Sequence, residues 1–264
     1  MILTRRAALN GVWLDEVDNR IAISGIEAGS GQESIAAVDA ASGYGQRITG
    51  RRRSTLDVVI RFRIRAHGLT ADGMEERSLV LEKVIAWAAD GGVLTLNYKP
   101  DRRLNVVLAQ IPAEGSLREF ASEFSITLRA YTIPYWEQEA ANTQTFGGDA
   151  SSGSRTITVE GSAKTQADVV LANTSGMQIN TATVTVGGQA MTFSGLGLNG
   201  GESLVIDHSD GLLRIRIRNG NAYRSAMAMR SGANDFMITP GQRSCSFSAQ
   251  RACRMTVSWR ARYL

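Results

Sequence analysis

Residues 54–66 read STLDVVIRFRIRA, and residues 75–92 read EERSLVLEKVIAWAADGG. In the first stretch Leu56, Val58, Ile60, Phe62 and Ile64 fall on one side of an extended chain, and Asp57, Val59, Arg61, Arg63 and Arg65 on the other. Side chains on a strand alternate between faces, so this predicts a long strand with one oily side and one mostly charged side. Gly68 to Gly73 break it. The period then becomes helical: Leu81, Val84, Ile85 and Ala88 recur at spacings of 3 and 4, and Val80 and Trp87 widen the stripe. Thr70 or Asp72 can cap the start, Glu75 and Glu76 suit the positive end of the helix dipole, and Gly91 and Gly92 stop it. A helix with one apolar face needs a sheet to cover. The strand beside it offers one, and the pair is expected to be the core of an N-terminal domain.

With 264 residues the chain suits one large or two ordinary domains. A hydrophobic fraction of 43% is enough for a sizeable core. Only one segment has a clear helical period, while Val, Ile and Thr runs are frequent, so the fold class is mainly β. The net charge of +4 is unevenly placed. Residues 1–136 carry 17 basic and 16 acidic side chains, residues 137–154 three acids and no base, and residues 155–264 12 basic and 6 acidic. A modest excess spread over a β domain is a poor footprint for nucleic acid, which calls for a basic cluster on one face. Arg greatly outnumbers Lys, which occurs only at positions 83, 99 and 164. Arg makes the better partly dry ion pair, which leans toward subunit interfaces, although a GC-rich genome would give the same bias. Two cysteines, Cys245 and Cys253, do not make a disulfide framework. No apolar run has the length of a signal peptide or a membrane span. The expected product is cytosolic with reduced thiols, and any later life outside the cell would come from assembly and release.

Along the chain, Asn10-Gly11 between apolar residues is a hairpin signal, and Ile21, Ile23 and Ile26 predict a further strand. Residues 27–50 are rich in Gly, Ser and Ala without sustained period and read as a long loop. It closes on Arg51, Arg52 and Arg53, which suit a solvated strand entrance, a contact with another subunit, or nucleic acid. Strands are expected at 93–98 and 104–111, with a turn at 99–103. Phe120, Phe124, Ile126 and Leu128 lead into another, and Pro134-Tyr135-Trp136 reads as an anchor for its end, the other reading being an exposed sticky patch. Residues 137–154 are dominated by Gln, Asn, Thr, Gly, Ser and Asp and read as a linker. From 155 onward short strands recur, at 155–160, 167–172, 182–186, 190–193, 202–207, 212–218, 225–229, 235–238, 243–248 and 254–263. Gly187-Gly188, Gly200-Gly201 and Asn219-Gly220 supply turns. That series is the signature of a β-sandwich.

The search for chemistry comes back nearly empty. His67 sits beside Gly68 at a strand end. His208 lies in Asp207-His208-Ser209-Asp210, which superficially resembles a triad, yet neighbours on one strand point to opposite faces. A surface turn is the expectation. No zinc spacing exists. Residues 195–200 formally match G-x-G-x-x-G, but a strand follows where phosphate binding would require a helix. Asn173-Thr174-Ser175 fits a glycosylation acceptor without a secretory route. Cys245 and Cys253 could face each other across a hairpin, and buried free thiols are the preferred reading. Aromatics amount to 6% and do not interleave the basic strands, which argues against a single-strand nucleic-acid platform. Neither an enzyme nor a cofactor is expected.

The order of parts, with Val84-Ile85-Ala86-Trp87 ending the helix and Ile133-Pro134-Tyr135-Trp136 closing the domain, resembles the distal tail proteins of long-tailed, siphovirus-type bacteriophages. Asp235-Phe236-Met237-Ile238-Thr239-Pro240-Gly241 and Val257-Ser258-Trp259-Arg260-Ala261-Arg262-Tyr263-Leu264 extend the similarity over nearly the whole chain. The resemblance implies an N-terminal split β-barrel with one α-helix, akin to the tail-tube fold, over residues 1–136, a linker at 137–154, and a galectin-like β-sandwich over 155–264. It further implies a structural subunit of a virion tail tip, made in the host cytoplasm. Six copies would form a ring joining the tail tube to the tail hub protein and the receptor-binding apparatus, with DNA passing through the lumen only as cargo and no membrane contact. In that frame residues 27–50 become an arm onto a neighbour. Arg51, Arg52, Arg53, Arg61, Arg63 and Arg65 become candidate interface residues, the last three paired with acids next door rather than bare in the channel. No carbohydrate site is implied, since Trp259 alternates with Val257 and reads as core. The rival functions are a monomeric carbohydrate-binding adhesion module and, from the enzyme class, a hydrolase accessory domain, for which no acid/base pair can be assigned.

Overall fold

The computed structural model describes residues 5–29, 31–39, 45–65, 71–114, 121–209 and 212–264. The chain divides into two compact units, Met1–Trp136 and Glu137–Leu264.

The first unit begins with a hairpin of β1 (Ala7–Leu9) and β2 (Val12–Trp13), turned by Asn10 and Gly11 at φ 52° and 83°. Both values are positive, as a two-residue type I′ turn requires. The Asn10 amide donates to the Gly91 carbonyl, and its oxygen accepts from the Val93 amide. A one-turn helix follows, α1 (Leu14–Val17), which the sequence pattern did not announce. Next come β3 (Ile21–Ala28), β4 (Gln32–Asp39), β5 (Gln46–Arg65), α2 (Ala71–Ala89), β6 (Gly92–Leu96), β7 (Lys99–Glu114) and β8 (Ala121–Ala130). The sheet runs β2-β1-β6-β7-β8-β5-β3, with β4 on the outer half of β5. It stays open, its ends being β2 and β3, as a split barrel should.

The core strand is as expected. Leu56 is 2% exposed, and Val58, Ile60, Phe62 and Ile64 are fully buried. Phe62 lies opposite Phe124 in register, with ring centroids 5.8 Å apart. Helix α2 buries Val80, Val84 and Ala88 together with Arg77, so its inward stripe is centred slightly off the predicted one, with Leu81, Ile85 and Trp87 on the flank. The Trp87 indole donates to the Val12 carbonyl at 2.9 Å. Trp136 is 2% exposed and the Lys99 ammonium sits 5.0 Å from its ring centre, so the Pro-Tyr-Trp segment is an anchor.

Two expectations fail in this unit. The described parts of residues 27–50 are not a loop: they continue β3, form β4 and begin β5, while residues 30 and 40–44 lie outside the described residues. Residues 99–103 are not a turn; the chain reverses at Asn97-Tyr98, between paired Leu96 and Lys99, and Pro100 lies within β7.

The second unit is a sandwich of two antiparallel sheets. Its strands are β9 (Trp136–Gln138), β10 (Asn142–Gly147), β11 (Ser152–Val159), β12 (Thr165–Asn173), β13 (Ile179–Val186), β14 (Gln189–Leu198), β15 (Ser203–Ser209), β16 (Leu212–Asn219), β17 (Ala222–Ser225), β18 (Arg230–Gly232), β19 (Met237–Ile238), β20 (Gly241–Ala249), β21 (Cys253–Trp259) and β22 (Arg262–Tyr263). One sheet runs β10-β21-β12-β15-β16-β17 with β19 also on β12, and the other runs β11-β20-β13-β14-β18. β9 pairs with β22. The core draws on both inner faces, including Phe193, Phe236, Phe247 and Trp259.

Residues 137–154 are therefore not a linker. They supply β9, β10 and the start of β11, and β10 and β11 close one flank of each sheet by pairing with β21 and β20. The strand expected at 225–229 ends at Ser225 and gives way to a 3-10 turn at Met227–Met229.

Candidate functional site: the arginine strand and its arm

β5 is 20 residues long and does two jobs. From Leu56 to Arg65 it is held on both sides, by β8 and β3. From Gln46 to Thr55 it pairs with β4 alone. At about 3.4 Å per residue, the two-stranded part reaches roughly 30 Å. Its side chains are wet on both faces: Ile35 is 53% exposed, Val38 52% and Ile48 50%. A two-stranded ribbon with no core of its own is marginal in water, and among the described residues one edge of β4 is left open to another chain.

The candidate arginines sit at the base of this arm and on the outward face of the core strand. Arg51 and Arg52 pair in register with Ile35 and Ser34, and their side chains lie outside the described residues. The Arg53 guanidinium lies 5.1 Å from the Tyr135 ring centre, and its Nε and Nη1 make no hydrogen bond among the described residues. Arg61 and Arg63 do pair with acids, but with those of their own chain: Arg61 with Glu27 at 2.9 Å and Arg63 with Glu123 at 3.7 Å. The reason is register, since Glu27 and Glu123 stand on the strands flanking β5. Exposed pairs of this kind contribute about 0–1 kcal/mol. Arg65 is exposed at the strand end. On the same face Asp57 accepts two bonds from Arg129 of β8, at 2.6 and 2.8 Å.

The other singled-out residues that the structure describes are structural. His67 lies outside the described residues. His208 is not on a surface turn: it is the next-to-last residue of β15, with its side chain 4% exposed, between Asp168 at 2.9 Å and Asp235 at 2.5 Å. Cys245 and Cys253 are buried and free, on β20 and β21 of opposite sheets, and burial pushes each thiol up to about 11. Residues 195–198 of the glycine motif belong to β14, and β15 follows. Asn173 is 2% exposed and its amide nitrogen donates to the Met177 and Leu198 carbonyls, so it is spent inside the fold. Among the described residues no group of three or more His, Cys, Asp or Glu could hold a metal, and no helix is long and apolar enough to cross a membrane. Sequence reasoning missed Ile35, Val38 and Ile48, because apolar residues wet on both faces carry no alternation. It also missed the His208 partners, which are 40 and 27 residues away.

No protein-family model matches the sequence, and no curated protein matches it. Among solved structures, a chain of the phage P2 baseplate in its activated conformation with Ca gives a TM-score of 0.45 at 9% identity, covering 98% of each chain. The Dit protein of phage SPP1, described as a paradigm of the hub adsorption apparatus of phages infecting Gram-positive bacteria, gives a TM-score of 0.69 at 11% identity. That match covers 98% of this chain and 99% of the other. From end to end, the chain has the fold of the SPP1 Dit protein.

Proposed function

We propose that this chain is a structural, non-enzymatic subunit of a phage tail tip. Six copies form a ring that joins the tail tube to the hub and the receptor-binding apparatus, and DNA passes through the ring. The observation that carries the reading is the match of both units, in order and over nearly the full length of both chains, to a phage adsorption-hub protein. The arm supports it independently: a ribbon exposing Ile35, Val38 and Ile48 with a free strand edge is what a subunit lays on its neighbour. Arg53 and Arg65 face that neighbour, Arg51 and Arg52 stand in the arm that reaches it, and Arg61 and Arg63 already hold Glu27 and Glu123 of their own chain.

Native mass spectrometry and negative-stain microscopy of the full chain, over a series of concentrations and with tail-tube protein added, test this. Six-fold rings are expected. A chain that stays monomeric under every condition, or closes with another symmetry, would overturn it.

A further inference from the structure

We propose that His208 is a pH-responsive fastener: its ring, donating to Asp168 and Asp235 at once, holds residues 226–238 as a strap across both sheets of the sandwich, and loss of the ring's charge loosens that strap. The strap contains the 3-10 turn, β18 and β19. β18 pairs with β14 in one sheet over three residue pairs, and β19 pairs with β12 in the other over two. Its apolar anchors are Ala226, Phe236 and Ile238, all at most 1% exposed. Such short ladders leave the strap more dependent on its side-chain ties than the long strands are.

The tie at His208 is made from three elements. His208 stands on β15, Asp168 on β12, and Asp235 in the strap. Nδ1 is 2.9 Å from Asp168, Nε2 is 2.5 Å from Asp235, and the His208 amide also donates to Asp168. Asp235 further accepts from the Phe236 amide, which places the buried phenyl ring. From β16 the residue opposite His208 is Leu213; the nearest charged groups there are Arg214 and Arg216, and Arg216 is taken up by Asp207 of β15. A neutral imidazole has one donor and one acceptor nitrogen, so it can satisfy only one of the two carboxylates and sets a lone pair against the other. Burial disfavours the charged ring, but the bonds to Asp168 and Asp235 outweigh it and push the pKa up to about 9.

A folded-state value above the ordinary 6.5 stabilises the fastened state fully below about 6.5, and that stabilisation is lost as pH rises toward 9. Amide hydrogen exchange of the full chain, corrected for intrinsic rates, should show protection in residues 226–238 falling about tenfold per pH unit between roughly 6.5 and 9. Protection in β13 should not follow it. In a His67→Gln chain, His208 is the only histidine, so its ring titration can be read directly by NMR. A midpoint near 9 is expected. His208→Gln should give a strap that is poorly protected and insensitive to pH. A ring that titrates near 6.5, flat protection from pH 6 to 10, or a well-protected strap in His208→Gln would each overturn the proposal. If His208→Gln fails to fold, the ring titration and the protection profile of the His67→Gln chain decide.

Discussion

Phe62 shows how far a single position can be read from pattern alone. Its place in an unbroken alternation marked it as core, and it is fully buried against Phe124. Phe62→Ala should cost about 3–5 kcal/mol, seen as a shift of the urea midpoint, whereas Phe62→Leu should cost markedly less. Asp18 was not legible, because its meaning lies in what folds onto it. It is 8% exposed and accepts from the Arg20 guanidinium at two points and from Lys83 of α2. The Arg20 bonds, resisted by burial and helped by Lys83, hold its carboxyl well below the ordinary 3.8. The folded-state value is depressed, so Asp18 stabilises fully above about 3.8 and that contribution is lost as pH falls below it. Asp18→Ala should destabilise by about 1.5–3 kcal/mol at neutral pH, and the deficit against the wild type should shrink in acid. Urea titrations of both chains at pH 7 and pH 2.5 would measure it.

At the scale of elements, the legible ones bury one face. The inner half of β5 from Leu56, α2 and most sandwich strands after residue 155 announced themselves through period 2 or 3.6. The arm did not: Ile35 and Val38 point to opposite faces of β4 and both are wet, so no apolar period exists to find. On the proposed function the arm serves assembly more than the monomer, and this separates two effects. Replacing Ile35, Val38 and Ile48 together by Thr keeps the strand propensity and removes exposed apolar surface. The monomer's unfolding midpoint should stay within about 0.5 kcal/mol of wild type, since surface changes rarely do more. Ring formation, scored by native mass spectrometry, should be lost. An intact ring with that triple change would move the interface elsewhere on the sheet.

At the scale of the molecule, the question is where the second unit begins. Composition puts its start at Arg155, because residues 137–154 look too polar to be buried. The structure makes that stretch part of the sandwich for a reason composition hides: edge strands need few apolar side chains. β10 contributes Phe146, and on β11 the Phe247 ring packs so closely that a Cβ on Gly153 would come within 2.8 Å of it. The segment is also tied from its other end. Arg262 meets Glu137 at 3.1 Å with both side chains at most 10% exposed, and Arg260 donates to the Gln138 and Glu139 carbonyls. Two fragments therefore part company. Residues 137–264 keep both flanking strands and the buried ion pair and should unfold cooperatively in urea as a soluble monomer. Residues 155–264 lose β10 and most of the outer half of β11, strand Arg262 without its acid, and open the edges of β21 and β20. Uncovered edges and an unpaired buried charge favour aggregation. The shorter fragment should be insoluble or lack a cooperative transition, and equal behaviour of the two would return residues 137–154 to the status of a linker.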